Sequence, residues 1–177
     1  MSIHHPSRPN HPSPRQRPKR SAAPALPAVE TMDRSHRQTL QVLAHMKRLT
    51  ELLAQPGHDA AAAPLAAQAC SFFNGPARGH HEIEEIQVFP GLLADGKPEL
   101  LAHVRRLQQD HMWLEEDWLE LEPHLQAVAR GYVTEHQAFL CAALPEFTSL
   151  CEEHMALEES LVYPEARRRQ AERPVGG

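Results

Sequence analysis

From about residue 31 onward, apolar side chains return at intervals of three and four, and no stretch keeps the strict alternation of a β-strand. The first helix is predicted from Thr31, with Thr31 or Asp33 as the N-cap. Met32, His36, Leu40 and Leu43 fall on one stripe, and Arg34, Arg37 and Lys47 fall largely elsewhere. AQPGHDAAAAP, residues 54–64, reads as a linker. A second helix is expected from Leu65 to Leu93. NGPARG, residues 74–79, should kink or split it before His80, through Gly75, Pro76 and Gly79. After a turn at 94–98, a third helix runs from Glu99 to Glu122, where Pro123 breaks or bends it. The fourth covers Thr134 to Gln170, with a kink at Pro145. Four helices on short connections predict an all-α fold, an antiparallel up-and-down four-helix bundle over residues 31–170.

Composition changes this picture only at the ends. Residues 1–30 are rich in Pro, Ser, Arg and His and poor in large apolar groups, so they are expected to form a disordered tail. Residues 171–177 are expected to be a short flexible C-terminus. The tail's first 29 residues carry five Lys/Arg and no acid, which leaves 13 Lys/Arg against 23 Asp/Glu for the remainder. An acidic body argues against nucleic acid as its partner. No run of about 18 apolar residues predicts a membrane span. The start lacks the apolar core of a signal peptide, and three cysteines (Cys70, Cys141 and Cys151) do not form a disulfide framework; a cytoplasmic location is therefore expected.

The candidate chemistry lies in a repeat. HHEIEEIQVFP, residues 80–90, and HMALEESLVYP, residues 154–164, both fit H-x-x-x-E-E-x-x-x-[FY]-P. Residues four apart share a helix face, so His80 pairs with Glu84 and His154 with Glu158. His81 pairs with Glu85 and His111 with Glu115 in the same way. Apolar neighbours fix the direction of these groups. Phe147, Leu150, Leu157 and Leu161 flank His154 at offsets −7, −4, +3 and +7. Leu107, Leu114 and Trp118 flank His111 at −4, +3 and +7. These histidines, and His36 on its own stripe, therefore face the core. A lone inward histidine is commonly satisfied by a backbone carbonyl. Several histidines and carboxylates buried together need a common partner, and a metal ion supplies one. A nitrogen and oxygen donor set without thiolate fits Fe, Mn or Zn. His45, His58, His103, His124 and His136 lack the pairing and read as surface or packing residues.

Taken in order, HHEIEEIQVFP, LQQDHMWLEEDW and HMALEESLVYP resemble the hemerythrin family, in particular its bacterial HHE cation-binding domains. The resemblance implies two non-haem irons bridged by carboxylates and an oxygen species. It implies as metal ligands His36, His80, Glu84, His111, His154 and Glu158. His81 is a further possible ligand. Glu115 stands where oxygen carriers of the family have a second histidine, which implies a centre richer in carboxylate. The implied function is binding or sensing of dioxygen, peroxide or nitric oxide. The alternatives are a diiron oxidase or peroxidase, or a module for iron storage or delivery. Phe73, Phe89 and Trp113 or Trp118 are candidates to wall the ligand pocket, with Cys151 one turn before His154.

Overall fold

A computed structural model describes residues 29–55, 57 and 59–172 of the chain. Among these, every regular element is a helix. The four helices are α1 (Val29–Leu53), α2 (residues 59–95), α3 (Pro98–Ala129) and α4 (residues 137–172). The tail expected over 1–30 lies outside the described residues, save that α1 already begins at Val29. The end expected to be flexible likewise lies outside them beyond Glu172. α1 packs on α2 and α4, and α3 packs on the same two, so the helices form an antiparallel bundle with α1 and α3 on one diagonal. No helix among the described residues is long and apolar enough to cross a membrane.

Several boundaries differ from the sequence expectation. α1 starts before Thr31, so neither Thr31 nor Asp33 is its cap; Asp33 instead pairs with Arg167 of α4. α2 begins at Asp59 rather than Leu65, because Pro64 lies only six residues in and forfeits few intrahelical bonds. α3 runs through Pro123 to Ala129, and α4 through Pro145; both rings lie on the exposed side, where a lost backbone bond is open to water. α3 ends in a well-defined cap. Gly131, at φ +92, takes the left-handed conformation, its N–H bonds to Val128 O, and the Tyr132 N–H bonds to Ala127 O. At the other end, Pro98 starts α3 at a position whose N–H has no helical partner anyway.

The helix breaks expected near Gly75, Pro76 and Gly79 take another form. α2 stays continuous but widens into five-residue π turns at Phe73–Ala77 and Glu84–Val88, and α4 does so at Glu158–Val162. The Phe89 N–H bonds to Glu84 O, and the Tyr163 N–H to Glu158 O, each spanning five residues. Pro90 and Pro164 follow directly. A proline ring collides with the carbonyl four residues back, and the wider turn relieves this. A side chain added at Gly79 would meet nothing, so no close approach explains that glycine.

The core falls into two parts. The larger includes Leu43, Met46, Leu49, Phe73, Trp118, Leu125, Leu140, Leu144 and Phe147. The smaller comprises Met32, Val88, Phe89, Leu92, Val104, Leu107, Val162 and Tyr163. Each helix passes from one to the other through a buried polar layer. Burying each large aliphatic side chain contributes about 1.5–3 kcal/mol. Leu40 does not join the stripe assigned to it and is 49% exposed, whereas Leu49 is fully buried. Leu49→Ala is therefore expected to cost about 2–5 kcal/mol in denaturant unfolding, and Leu40→Ala to stay within about 0.5 kcal/mol.

Candidate metal centre

The polar layer contains His36, His80, Glu84, Asp110, His111, His154 and Glu158, all buried. α1 supplies His36, α2 supplies His80 and Glu84, α3 supplies Asp110 and His111, and α4 supplies His154 and Glu158. Each glutamate carboxylate lies between histidines of two different helices. Glu158 Oε2 is 3.0 Å from His36 Nε2, and its Oε1 is 2.9 Å from His154 Nε2. Glu84 Oε2 is 3.7 Å from His80 Nε2 and 3.4 Å from His111 Nε2. Two donor sets result, one of His36, His80 and Glu158, the other of Glu84, His111, His154 and Glu158. The atoms of each set lie within 4.8 Å of one another. Glu158 belongs to both sets.

His81 makes a further set with two histidines of the second, the ring nitrogens of His81, His111 and His154 lying within the same span. Its ring stacks on His111 at 4.1 Å between centroids. Glu115 does not join. The Glu115 carboxylate sits at the surface in a two-point pair with Arg78, and Leu114 and Trp118 take the inward positions of that stretch of α3. Of the sequence-predicted residues, the structure thus gathers His36, His80, His81, Glu84, His111, His154 and Glu158, and leaves Glu115 outside.

A test of whether a cation fits comes from the polar atoms themselves. Glu84 Oε2, His111 Nε2, His154 Nε2 and both Glu158 oxygens are buried without a hydrogen-bond partner among the described residues. They stand near one another but are not aligned for hydrogen bonds. Donors that converge in this way, two imidazole nitrogens and three carboxylate oxygens, suit a divalent or trivalent cation. Left alone, each would carry a desolvation penalty of about 1–3 kcal/mol or more.

Around this layer lies a ring of orienting groups, of which the sequence assigned only Glu85, and that one to His81 rather than to His111. His36 Nδ1 lies 2.8 Å from Glu159 Oε1, and His111 Nδ1 lies 2.9 Å from Glu85 Oε1. The second glutamate of each E-E doublet thus reaches across to the single histidine of the neighbouring helix. His154 Nδ1 faces Asp110 Oδ2 at 3.9 Å, too far for a direct hydrogen bond but close enough for charge, and Arg106 holds Asp110 from outside at 2.6 Å. A carboxylate on Nδ1 fixes the tautomer and leaves Nε2 to bind metal. Tyr163 also enters. Its hydroxyl donates to Glu84 Oε1 at 2.5 Å and lies 3.0 Å from His36 Nε2 and 3.3 Å from His80 Nε2. The π turn carries it there, because residues 158 and 163 share a face only when five residues complete a turn. Phe89 holds the corresponding place in the other half and stacks on His111. The doublet and the [FY]-P ending were visible in the repeat; their targets on other helices were not.

Electrostatics follow from burial and from these neighbours. Burial lowers the pKa of His80 to about 4 and pushes His81 well down; it also lowers His111. All three are held neutral, the form that binds metal. Burial, reinforced by the facing Glu158 charge, raises Glu84. Burial alone would lower His154, but Glu158 and Asp110 outweigh it and hold it up at about 9. Burial would raise Glu158, and the same His154 charge overcomes this to keep it ionised.

A cavity of about 40 Å³ adjoins the layer on the side of the larger core. It touches His80, His81, His154 and Glu158 and is otherwise walled chiefly by Phe73, Leu114, Trp118, Phe147, Cys151 and Met155. Trp113, an alternative wall candidate, is exposed and lies beside Arg106 instead, and Phe89 serves the histidine rather than the cavity.

The family model of the hemerythrin HHE cation-binding domain matches residues 28–166. An uncharacterized protein of Haemophilus influenzae is 27% identical over 134 residues, 75% of each chain. No solved structure matches the chain at a significant level.

Two outcomes are expected from this geometry. His154 has its pKa raised from 6.5 to about 9 in the metal-free fold, so its protonated pairing with Glu158 stabilises that fold below pH 6.5 and the contribution is lost as pH rises toward 9. Metal must displace the same proton, so affinity measured by competition with a chelator should climb across that window; a flat profile would contradict the assignment. Glu85→Gln and Glu159→Gln should each weaken metal binding about 10–100-fold, while Glu152→Gln, at an exposed pair with Lys47, should leave it unchanged.

Proposed function

The chain belongs to the hemerythrin family, with a His/Glu cluster able to bind metal cations, and from that premise we propose that it is a non-haem diiron protein that binds or senses dioxygen or a related small molecule such as peroxide or nitric oxide. The observation that carries this reading is the pair of donor sets sharing Glu158, with Glu84 opposite, next to a small apolar cavity. His36 and His80 would hold one iron, and His111 and His154 the other, with His81 as a further donor to the second. Glu84 and Glu158 would bridge. Iron in such a place supplies an open coordination position and electrons to share with a bound small molecule.

The chain's own residues set the terms on which this happens. Glu85, Glu159 and Asp110 orient the histidines. Tyr163 holds a hydroxyl proton between Glu84 and two histidines, on the side of the layer away from the cavity. Phe73, Trp118, Phe147 and Met155 keep bulk water from the cavity. A cavity of about 40 Å³ suits a small molecule better than a bulky substrate, which favours binding or sensing over an oxidase acting on large organic compounds. Catalytic turnover of peroxide, and reversible iron loss to a mild chelator, are the results that would favour the peroxidase and storage readings instead.

Metal analysis with optical spectroscopy tests the proposal. About two irons per chain are expected, as for a centre with two bridging carboxylates, with a charge-transfer band appearing when oxygen reaches the reduced protein. One zinc or no metal, with a silent spectrum on oxygen addition, would overturn it.

A further inference from the structure

The lining of the cavity is not uniform. Phe73, Trp118, Phe147, Cys151 and Met155 are buried, whereas Arg78 and Glu115 reach solvent, with side chains 43% and 45% exposed. Arg78 follows the first π turn of α2, and Glu115 stands one turn beyond His111 on α3. The guanidinium grips the carboxylate at both ends. Nε donates to Oε2 at 3.0 Å and Nη2 donates to Oε1. The seam between α2 and α3 is also tied on either side of this point. Asn74 Nδ2 donates to Glu122 at 2.6 Å, and Gln108 Nε2 donates to Glu85 at 2.7 Å. Of these three ties only the middle one borders the cavity.

We infer that the Arg78–Glu115 pair is the gate by which small uncharged molecules enter the cavity and reach the metal centre. An exposed ion pair of this kind contributes only about 0.2–1 kcal/mol, so it opens often, while the flanking ties keep the helices in place. When shut, it covers an apolar passage with a charged, hydrated lid that excludes larger and anionic reagents. The placement also accounts for an acid on α3 at the spacing of a ligand that does not point inward. The inference rests on the proposed diiron reading for its ligand, but the passage itself is a property of the fold and has its own test.

Two probes separate the questions. Nitric oxide combining with the ferrous-loaded protein, followed by stopped flow, reports entry to the centre. Methyl methanethiosulfonate labelling of Cys151 in the metal-free protein, read by mass spectrometry, reports entry to the cavity without any metal. Cys70 and Cys141, which do not line the cavity, serve as internal references. Arg78→Ala and Glu115→Ala are expected to speed both probes by up to about fivefold, the equivalent of a pair worth about 1 kcal/mol. The final nitric oxide spectrum and the labelling of the reference cysteines should not change. The swapped variant Arg78→Glu with Glu115→Arg should return both rates toward the original. High salt should speed entry in the original protein and not in the alanine variants. Unchanged rates in both alanine variants would overturn the gate, as would a swapped variant as fast as they are. If the protein takes up no iron, the functional proposal fails while Cys151 labelling still decides the gate.

Discussion

Everything in this bundle is arranged around two buried carboxylates that face each other across a layer of histidines. Such a layer is unfavourable for a protein on its own. Each ion loses hydration, the two acids repel, and several donor atoms find no hydrogen-bond partner. The metal-free fold manages this by partial neutralisation, with Glu84 tending to hold its proton and Glu158 ionised against a charged His154. That compromise uses protons where a cation would serve better. Within the layer, the atoms left over are ones that converge, which is why the site reads as a metal centre and not as an ordinary buried ion-pair network.

The repeat H-x-x-x-E-E-x-x-x-[FY]-P encodes more than the two ligands at its start. Its first glutamate enters the layer, its second orients a histidine on the next helix, and its aromatic residue returns to the layer five residues later through a π turn. The proline that follows makes regular α-helix unfavourable at that point, yet proline alone does not create the turn: α3 and α4 pass Pro123 and Pro145 without one. What distinguishes Glu84–Val88 and Glu158–Val162 is that their widened turns each bury a glutamate in the layer and bring Phe89 or Tyr163 against it. Local strain relief and packing at the centre favour the same geometry.

The fold and most of the cluster were legible in the sequence because both rest on helical periodicity. His154 and His111 announced their direction through apolar neighbours one and two turns away, and the structure puts them in the buried layer. Periodicity gave less where a residue's partner comes from another helix. Glu115 has the spacing of Glu84 from its histidine, but on α3 Leu114 and Trp118 take the inward positions of that stretch, and Glu115 falls at the α2 seam, where it pairs with Arg78. Leu40 sits at an inward offset from His36 and is still exposed, because the buried face of α1 continues through Val42, Leu43, Met46, Leu49 and Leu53 and leaves Leu40 at its edge. Asp110 and Glu159 went unassigned, and Glu85 was matched to His81 on its own helix, for the same reason: nothing in a linear pattern tells an acid which neighbouring helix carries the histidine it will meet.

The polar layer also divides the core, and the division is unequal. The larger apolar cluster spans the bundle from Leu43 to Leu144 and holds most of its aromatic stacking, including Phe73 on Trp118 at 4.8 Å. The smaller one, with Met32, Phe89, Leu107 and Tyr163, closes the opposite end. A centre that destabilises the fold is tolerable only if the remainder supplies a surplus, and the larger cluster is where that surplus lies. The smaller cluster has a different task. Two of its members, Phe89 and Tyr163, pack directly on ligand-type histidines, so that end of the bundle presses the rings into place and shuts out water. The cavity lies on the other side, against the larger cluster, so the face of the layer left open to a small molecule looks into the larger apolar core. Placing the space there lets the cavity persist without collapsing, because the walls that would have to move are those packed most firmly elsewhere.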